Sequence, residues 1–226
     1  MTKIEILILL RKIAYGTEFL AAATGLFFVY KNQINGLLKW FPAFLTYVFL
    51  NDIIGLNTKH LFSNSNNLIL YNISTIVTFV FLFSIYYQYS KEKKNKRLIA
   101  IFLISYIISL FIYGFIENYL IQLQSIPFLL GSSLLMISII LYYAELLKEE
   151  LLKNRSKDLL IWIGAGILIY YIGIIPFRLV RDYYAKLDDY SILFILNGIF
   201  TILMNICFIV GFIIVNKKSI KKKTPR

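Results

Sequence analysis

The 226 residues are 59% hydrophobic and only 16% charged, with 19 Phe and 17 Tyr, more apolar surface than a soluble fold of this length can hide. Lys and Arg outnumber Asp and Glu by 24 to 12, but the excess falls in short loops where membrane topology already demands it, so it is no argument for nucleic acid. A single His and a single Cys, His60 and Cys207, fall short of the roughly three ligands a zinc enzyme needs, and no metal or other cofactor is expected.

Seven apolar runs of about 20 residues, the length that crosses a hydrocarbon core of about 30 Å, predict an all-α, polytopic seven-transmembrane-helix bundle. The spans are expected at about 13–31, 38–56, 67–89, 98–119, 121–144, 159–179 and 190–215, in one membrane domain with a basic tail at 216–226. The leading MTKIEILILLRK is read as an interfacial lead-in to span one. Arg11 and Lys12 cut its apolar stretch too early for a signal peptide, although AAA at 21–23 mimics a cleavage site.

Glu18 lies about five residues inside span one, with Ala22 and Gly25 on the same face. Span two ends on Asn51 and Asp52, and His60 follows in a loop. Asn72 comes early in span three. Ser105, Ser109, Tyr113 and Glu117 recur every four residues along span four, a polar stripe on an apolar helix. Gln122, Gln124 and Ser125 open span five. Span six holds Gly166 and Gly173, seven apart, and runs through Pro176 into Arg178, Arg181 and Asp182. Asn197, Thr201 and Asn205 form a second stripe on span seven.

Assigning the connections alternately to two sides puts 17 Lys and Arg on one and 7 on the other. The positive-inside rule then places the N-terminus outside and the C-terminus in the cytoplasm, with Trp40 and Trp162 at cytoplasmic interfaces. The basic inner face suits anionic lipid headgroups and a membrane or cytoplasmic protein partner. Glu18, Asp52, Asn72, Glu117, Arg178 and Asn197 all fall in the outer half on this reading. They are the candidate ligand-binding residues of a polar cavity open to the outside. Arg178 is expected to reach inward to Glu117 or Asp52 instead of resting on the local Asp182.

No catalytic set emerges, and an enzyme is not expected. A loop histidine offers no base for a serine within the bilayer, a two-aspartate protease lacks its second buried aspartate, and span seven has no lysine for an opsin-type Schiff base. LKWFPAF and LIWIGAG align at Trp40 and Trp162, 122 residues apart, but the Pro-Gln dipeptide of the PQ-loop transporters is missing.

The segments WFPAFLTYVFLNDIIG, LYNISTIVTFVFLFSIYY, LLIWIGAGILIYYIGIIPF and NGIFTILMNICFIVGF are similar to a family of small, largely uncharacterised bacterial seven-span integral membrane proteins, over about residues 37–216. The resemblance implies a seven-span fold in the bacterial cytoplasmic membrane and carries no activity, substrate or site residues. Because no charge reaches the midplane on this reading, the expected function is a small-ligand or ion receptor, or a membrane accessory subunit acting through a partner. A small-solute or ion transporter or channel is the alternative.

Overall fold

The computed structural model of the chain describes residues 3–31, 36–61, 67–116, 118–120, 122–148, 159–179 and 191–223. They form seven α-helices: α1 (Lys3–Lys31), α2 (Phe41–Leu61), α3 (Leu68–Tyr89), α4 (Lys93–Gly114), α5 (Ile126–Lys148), α6 (Leu159–Leu179) and α7 (Ser191–Lys223). A 3-10 turn at Leu37–Trp40 leads into α2 from Gly36, whose φ of 75° suits a residue without a Cβ. Six of these helices, α2 to α7, are long and apolar enough to cross a membrane, which marks the chain as a multi-pass membrane protein. At 29 residues α1 has the length too, but it carries Glu5, Arg11, Lys12 and Glu18.

Helix boundaries differ from the predicted spans in informative ways. α1 begins ten residues before the expected span, so the lead-in is continuous helix. α2 runs on to Leu61, which puts His60 in its last turn and not in a loop. α4 stops at Gly114, where Phe115 and Ile116 donate back to Ile112 and Tyr113 in tightened i→i+3 turns. α5 starts only at Ile126, with Pro127 in its first turn, where a missing N–H costs nothing. Gln122, Gln124 and Ser125 therefore belong to a connection between α4 and α5 and do not open a span.

The chain divides into two compact units. The first comprises residues 1–46 and 150–226, the second Tyr47–Glu149. In the first, α7 packs against both α1 and α6. Contacts of Leu10 with Gly198 and of Gly25 with Phe212 show that α1 and α7 run in the same direction, at offsets of 188 and 187 residues. α6 runs the other way, pairing Trp162 with Gly211, Gly166 with Met204 and Gly173 with Phe200. A Cβ on Gly166 would stand 2.9 Å from the Met204 carbonyl oxygen, so both span-six glycines mark close helix approach. Close approach is how membrane helices gain contact in lipid, where the hydrophobic drive between them is absent. Phe28, Phe41, Phe208 and Phe212 cluster around it, with Phe28–Phe212 and Phe41–Phe208 centroids 5.4 and 5.3 Å apart.

In the second unit α3, α4 and α5 pack against one another, with α3 and α5 running in the same direction. The buried positions of α5 include Phe128, Gly131, Leu135, Ser138, Tyr142 and Glu145, spaced three or four apart. Gly131 leaves room for the Tyr106 ring, which meets Phe79 edge-on at 4.9 Å. Tyr86 meets Tyr142 in the same way at 5.8 Å. The opposite face of α4 turns Ile101, Ile104, Ile108, Phe111 and Ile112 outward, as a lipid-contacting helix requires.

Candidate functional site

Several Ser and Thr hydroxyls of the helices are satisfied locally. Thr17, Thr24, Thr46, Thr75, Ser84, Ser109, Ser132 and Ser138 each donate to a carbonyl three or four residues back, the usual arrangement where no water competes. Ser109, on the span-four stripe, thus needs no ligand for its hydroxyl. Glu117, which was to complete that stripe, lies outside the described residues.

Asn72 is buried near the start of α3 and its amide is fully engaged. Its Nδ2 donates to the carbonyls of Tyr119 and Gln122 at 2.8 and 2.7 Å. Its Oδ1 accepts the Gln124 N–H at 3.0 Å, and its own carbonyl accepts from Gln124 Nε2 at 3.1 Å. Tyr106 donates to Gln124 Oε1 from 3.4 Å. These bonds fasten the α4–α5 connection across the end of the trio, so Asn72 acts here as a clamp on backbone. Asp52 is half-buried on α2 in the same unit, next to the buried Asn51, whose Nδ2 meets no hydrogen-bond partner among the described residues.

The other candidates belong to the first unit. Arg178 is half-buried in the last turn of α6, which continues through Pro176. Of its two expected partners, Glu117 lies outside the described residues and Asp52 belongs to the second unit; the local alternative, Asp182, also lies outside the described residues. Asn197 is exposed at the start of α7, and its Oδ1 accepts the Tyr170 hydroxyl at 3.1 Å. Deeper along the same stripe, Thr201 and Asn205 are buried, and Asn205 Nδ2 donates to the Thr201 carbonyl at 2.9 Å.

Glu18 is 8% exposed and stands mid-way along α1, not near its end. The α1–α7 register fixes its height. Glu18 is one heptad before Gly25, which touches Phe212, and Asn205 is one heptad before Phe212 itself. Residues seven apart return to nearly the same side of a helix, so Glu18 and Asn205 come level along one seam. Asn205 lies 14 residues from the start of the Ser191–Ile214 span and 9 from its end, roughly 21 and 14 Å at 1.5 Å per residue. Glu18 is therefore level with the central part of the apolar stretch of α7. The sequence-based depth counted from residue 13, whereas the helix is already packed on α7 at Leu10.

A second buried carboxylate escaped notice in the sequence. Glu145, 5% exposed near the end of α5, accepts the Ser90 hydroxyl, the Lys91 backbone N–H at 2.7 Å and Asn95 Nδ2 at 2.7 Å. Beside it Lys148 pairs with Glu92 at 3.0 Å across an exposed surface. The signal was present: Glu145 continues the three-and-four spacing of the α5 core positions after Ser138 and Tyr142.

No protein-family model, curated protein or solved structure matches the chain.

Proposed function

We propose that the chain is a seven-span protein of the bacterial cytoplasmic membrane, of the small seven-span family it resembles, that moves a small solute or ion and uses Glu18 as its binding centre. The observation that carries this reading is a buried carboxylate level with the middle of an apolar helix. Such a group is expensive to keep in lipid and marks transport pathways and proton relays. The preference for a receptor rested on the lack of any charge at that depth, and the α1–α7 register removes that reason. The same register supports the seventh span. Between Leu10 and Phe28 α1 stays alongside α7 for 18 residues, or about 27 Å, close to a full hydrocarbon thickness. Like-directed first and last helices agree with an odd number of crossings, N-terminus outside and C-terminus inside.

A receptor or accessory role is the second reading. It is favoured by the α3–α4 turn, which Glu145 braces from within while Lys91, Lys93, Lys94 and Arg97 stay exposed. Braced cations of this kind suit anionic headgroups or an acidic partner protein.

Purified protein in vesicles, tested by solid-supported-membrane electrophysiology with sodium, potassium, chloride, amino acids and sugars, separates the two. Transport predicts a current for at least one solute that Glu18→Ala abolishes. Folded protein without current for any of them overturns transport and leaves the receptor.

A further inference from the structure

We propose that one face of α4 binds an anionic glycerophospholipid, with its phosphate on Lys93, Lys94 and Arg97 and an acyl chain along the exposed residues that follow. This names the occupant of the braced α3–α4 turn. It rests on the helices crossing a membrane and holds under either reading of function.

The helix itself defines the face. At about 3.6 residues per turn, Lys93, Lys94 and Arg97 share an arc of about 100° with Ile101, Ile104, Ile108, Phe111 and Ile112. All of them are exposed. The buried positions of α4, Asn95, Ile99, Tyr106 and Ser109, lie on the opposite side, where Tyr106 meets Phe79 of α3 and Gly131 of α5. The apolar part of the exposed face, from Ile101 to Phe111, spans about 15 Å. That is half of a hydrocarbon core of about 30 Å, so a chain of one leaflet has a matching track and its headgroup comes level with the three cations.

Charge at this level is nearly all of one sign. The stretch SKEKKNKR, from Ser90 to Arg97, holds five cations and one acid. That acid, Glu92, pairs with Lys148 at 3.0 Å, so the pair is neutral and the other cations set the field. Lys96 lies over the Tyr87 ring at 5.9 Å, and Tyr87 is exposed, as suits an aromatic at the headgroup level. The planar fork of Arg97 matches two phosphate oxygens, and the lysines add charge.

The backbone beneath these cations is fixed. Glu145 of α5 accepts the Lys91 N–H and Asn95 Nδ2, each at 2.7 Å, and Asn95 stands between Lys94 and Arg97 in the chain. A preformed array of cations loses less freedom on binding than a mobile loop does. An acidic protein is the poorer fit, because the same face continues as exposed apolar side chains for the depth of a leaflet.

Native mass spectrometry of the full chain in detergent tests this, with dioleoyl phosphatidylglycerol and dioleoyl phosphatidylcholine as probes. Both carry a phosphate and identical chains, but the choline cation offsets its own phosphate. Phosphatidylglycerol should bind about tenfold more tightly. Lys93→Ala, Lys94→Ala and Arg97→Ala combined should make the two affinities alike. Lys221→Ala, Lys222→Ala and Lys223→Ala combined remove equal charge elsewhere and should leave the preference intact. Inorganic phosphate and glycerol phosphate should not displace the lipid, since neither has a chain for the stripe.

Equal binding of both lipids by the parent overturns the site and leaves the cations to an acidic protein. Equal losses in the two triple variants overturn it in favour of diffuse charge. Displacement by either chainless anion makes it an anion site in which the apolar stripe has no part. A lipid preference without any solute current would leave this site standing and sink the transport reading, whereas current without a preference would do the reverse.

Discussion

Three donors converge on the Glu145 carboxylate, and each ties down a different part of the α3–α4 turn: the Ser90 hydroxyl at the end of α3, the Lys91 N–H within the turn, and the Asn95 amide in the first turn of α4. Removing the carboxylate strands the buried Ser90 and Asn95 donors and the part-buried Lys91 N–H. Glu145→Ala should lower stability by about 2–4 kcal/mol, and Glu145→Gln, which keeps one acceptor oxygen, by about 1–2 kcal/mol. Denaturant unfolding in detergent measures both; an alanine variant as stable as the parent would mean the turn does not depend on the carboxylate. Asn72 plays the corresponding part at the other end of the trio. Asn72→Ala leaves the Tyr119 and Gln122 carbonyls and the Gln124 N–H without their partner, at a cost of about 2–3 kcal/mol. Limited proteolysis should then cut the α4–α5 connection sooner than in the parent, and an unchanged cleavage pattern would count against the clamp.

Helices α6 and α7 meet where Gly166 lets the Met204 carbonyl approach, and there is no flexible side chain in that contact to give way. A Cβ at 2.9 Å from a backbone oxygen forces the helices apart. Gly166→Val should cost about 1–3 kcal/mol through overpacking. Gly16 of α1 is the control, since nothing stands within 4 Å of its would-be Cβ. Gly16→Ala should be neutral or stabilise by about 0.5–1 kcal/mol, because alanine is the better helix former. Thermal unfolding of the two variants in the same detergent tests the pair, and equal effects would remove Gly166 from the interface. The same reasoning explains the boundaries at the element scale. α7 still gives α1 a surface at Leu10, before the expected start of the span, and α4 ends at Gly114, a few residues before Tyr119 and Gln122, whose carbonyls Asn72 binds.

For the whole molecule the testable quantity is topology. With Cys207 replaced, cysteines introduced at Asn66 and Lys186 should react with an impermeant thiol reagent in intact cells, and one at Lys94 only after the membrane is opened. The expectation follows from the 17-to-7 division of basic residues; the reverse pattern would invert the protein. Membrane character, an all-helical fold and the rough positions of the six helices apolar enough to cross a membrane were legible in the residues themselves, because about 20 consecutive apolar side chains have few other stable outcomes and every backbone polar group must then be bonded within its own helix. Part of the buried face of α7 was legible too, as Thr201 and Asn205 of its polar stripe, although Asn197 of the same stripe is exposed. Depth and partnership were not. Whether Glu18 comes level with an end or with the central part of the apolar stretch of α7 depends on how far α1 has slid along it, and contacts such as Leu10 with Gly198 fix that register only in three dimensions. Glu145 looked like one more interfacial acid until α5 brought it against Ser90 and Asn95, 55 and 50 residues away. Local composition sets how much polarity a helix carries, whereas packing register alone decides which polar groups meet.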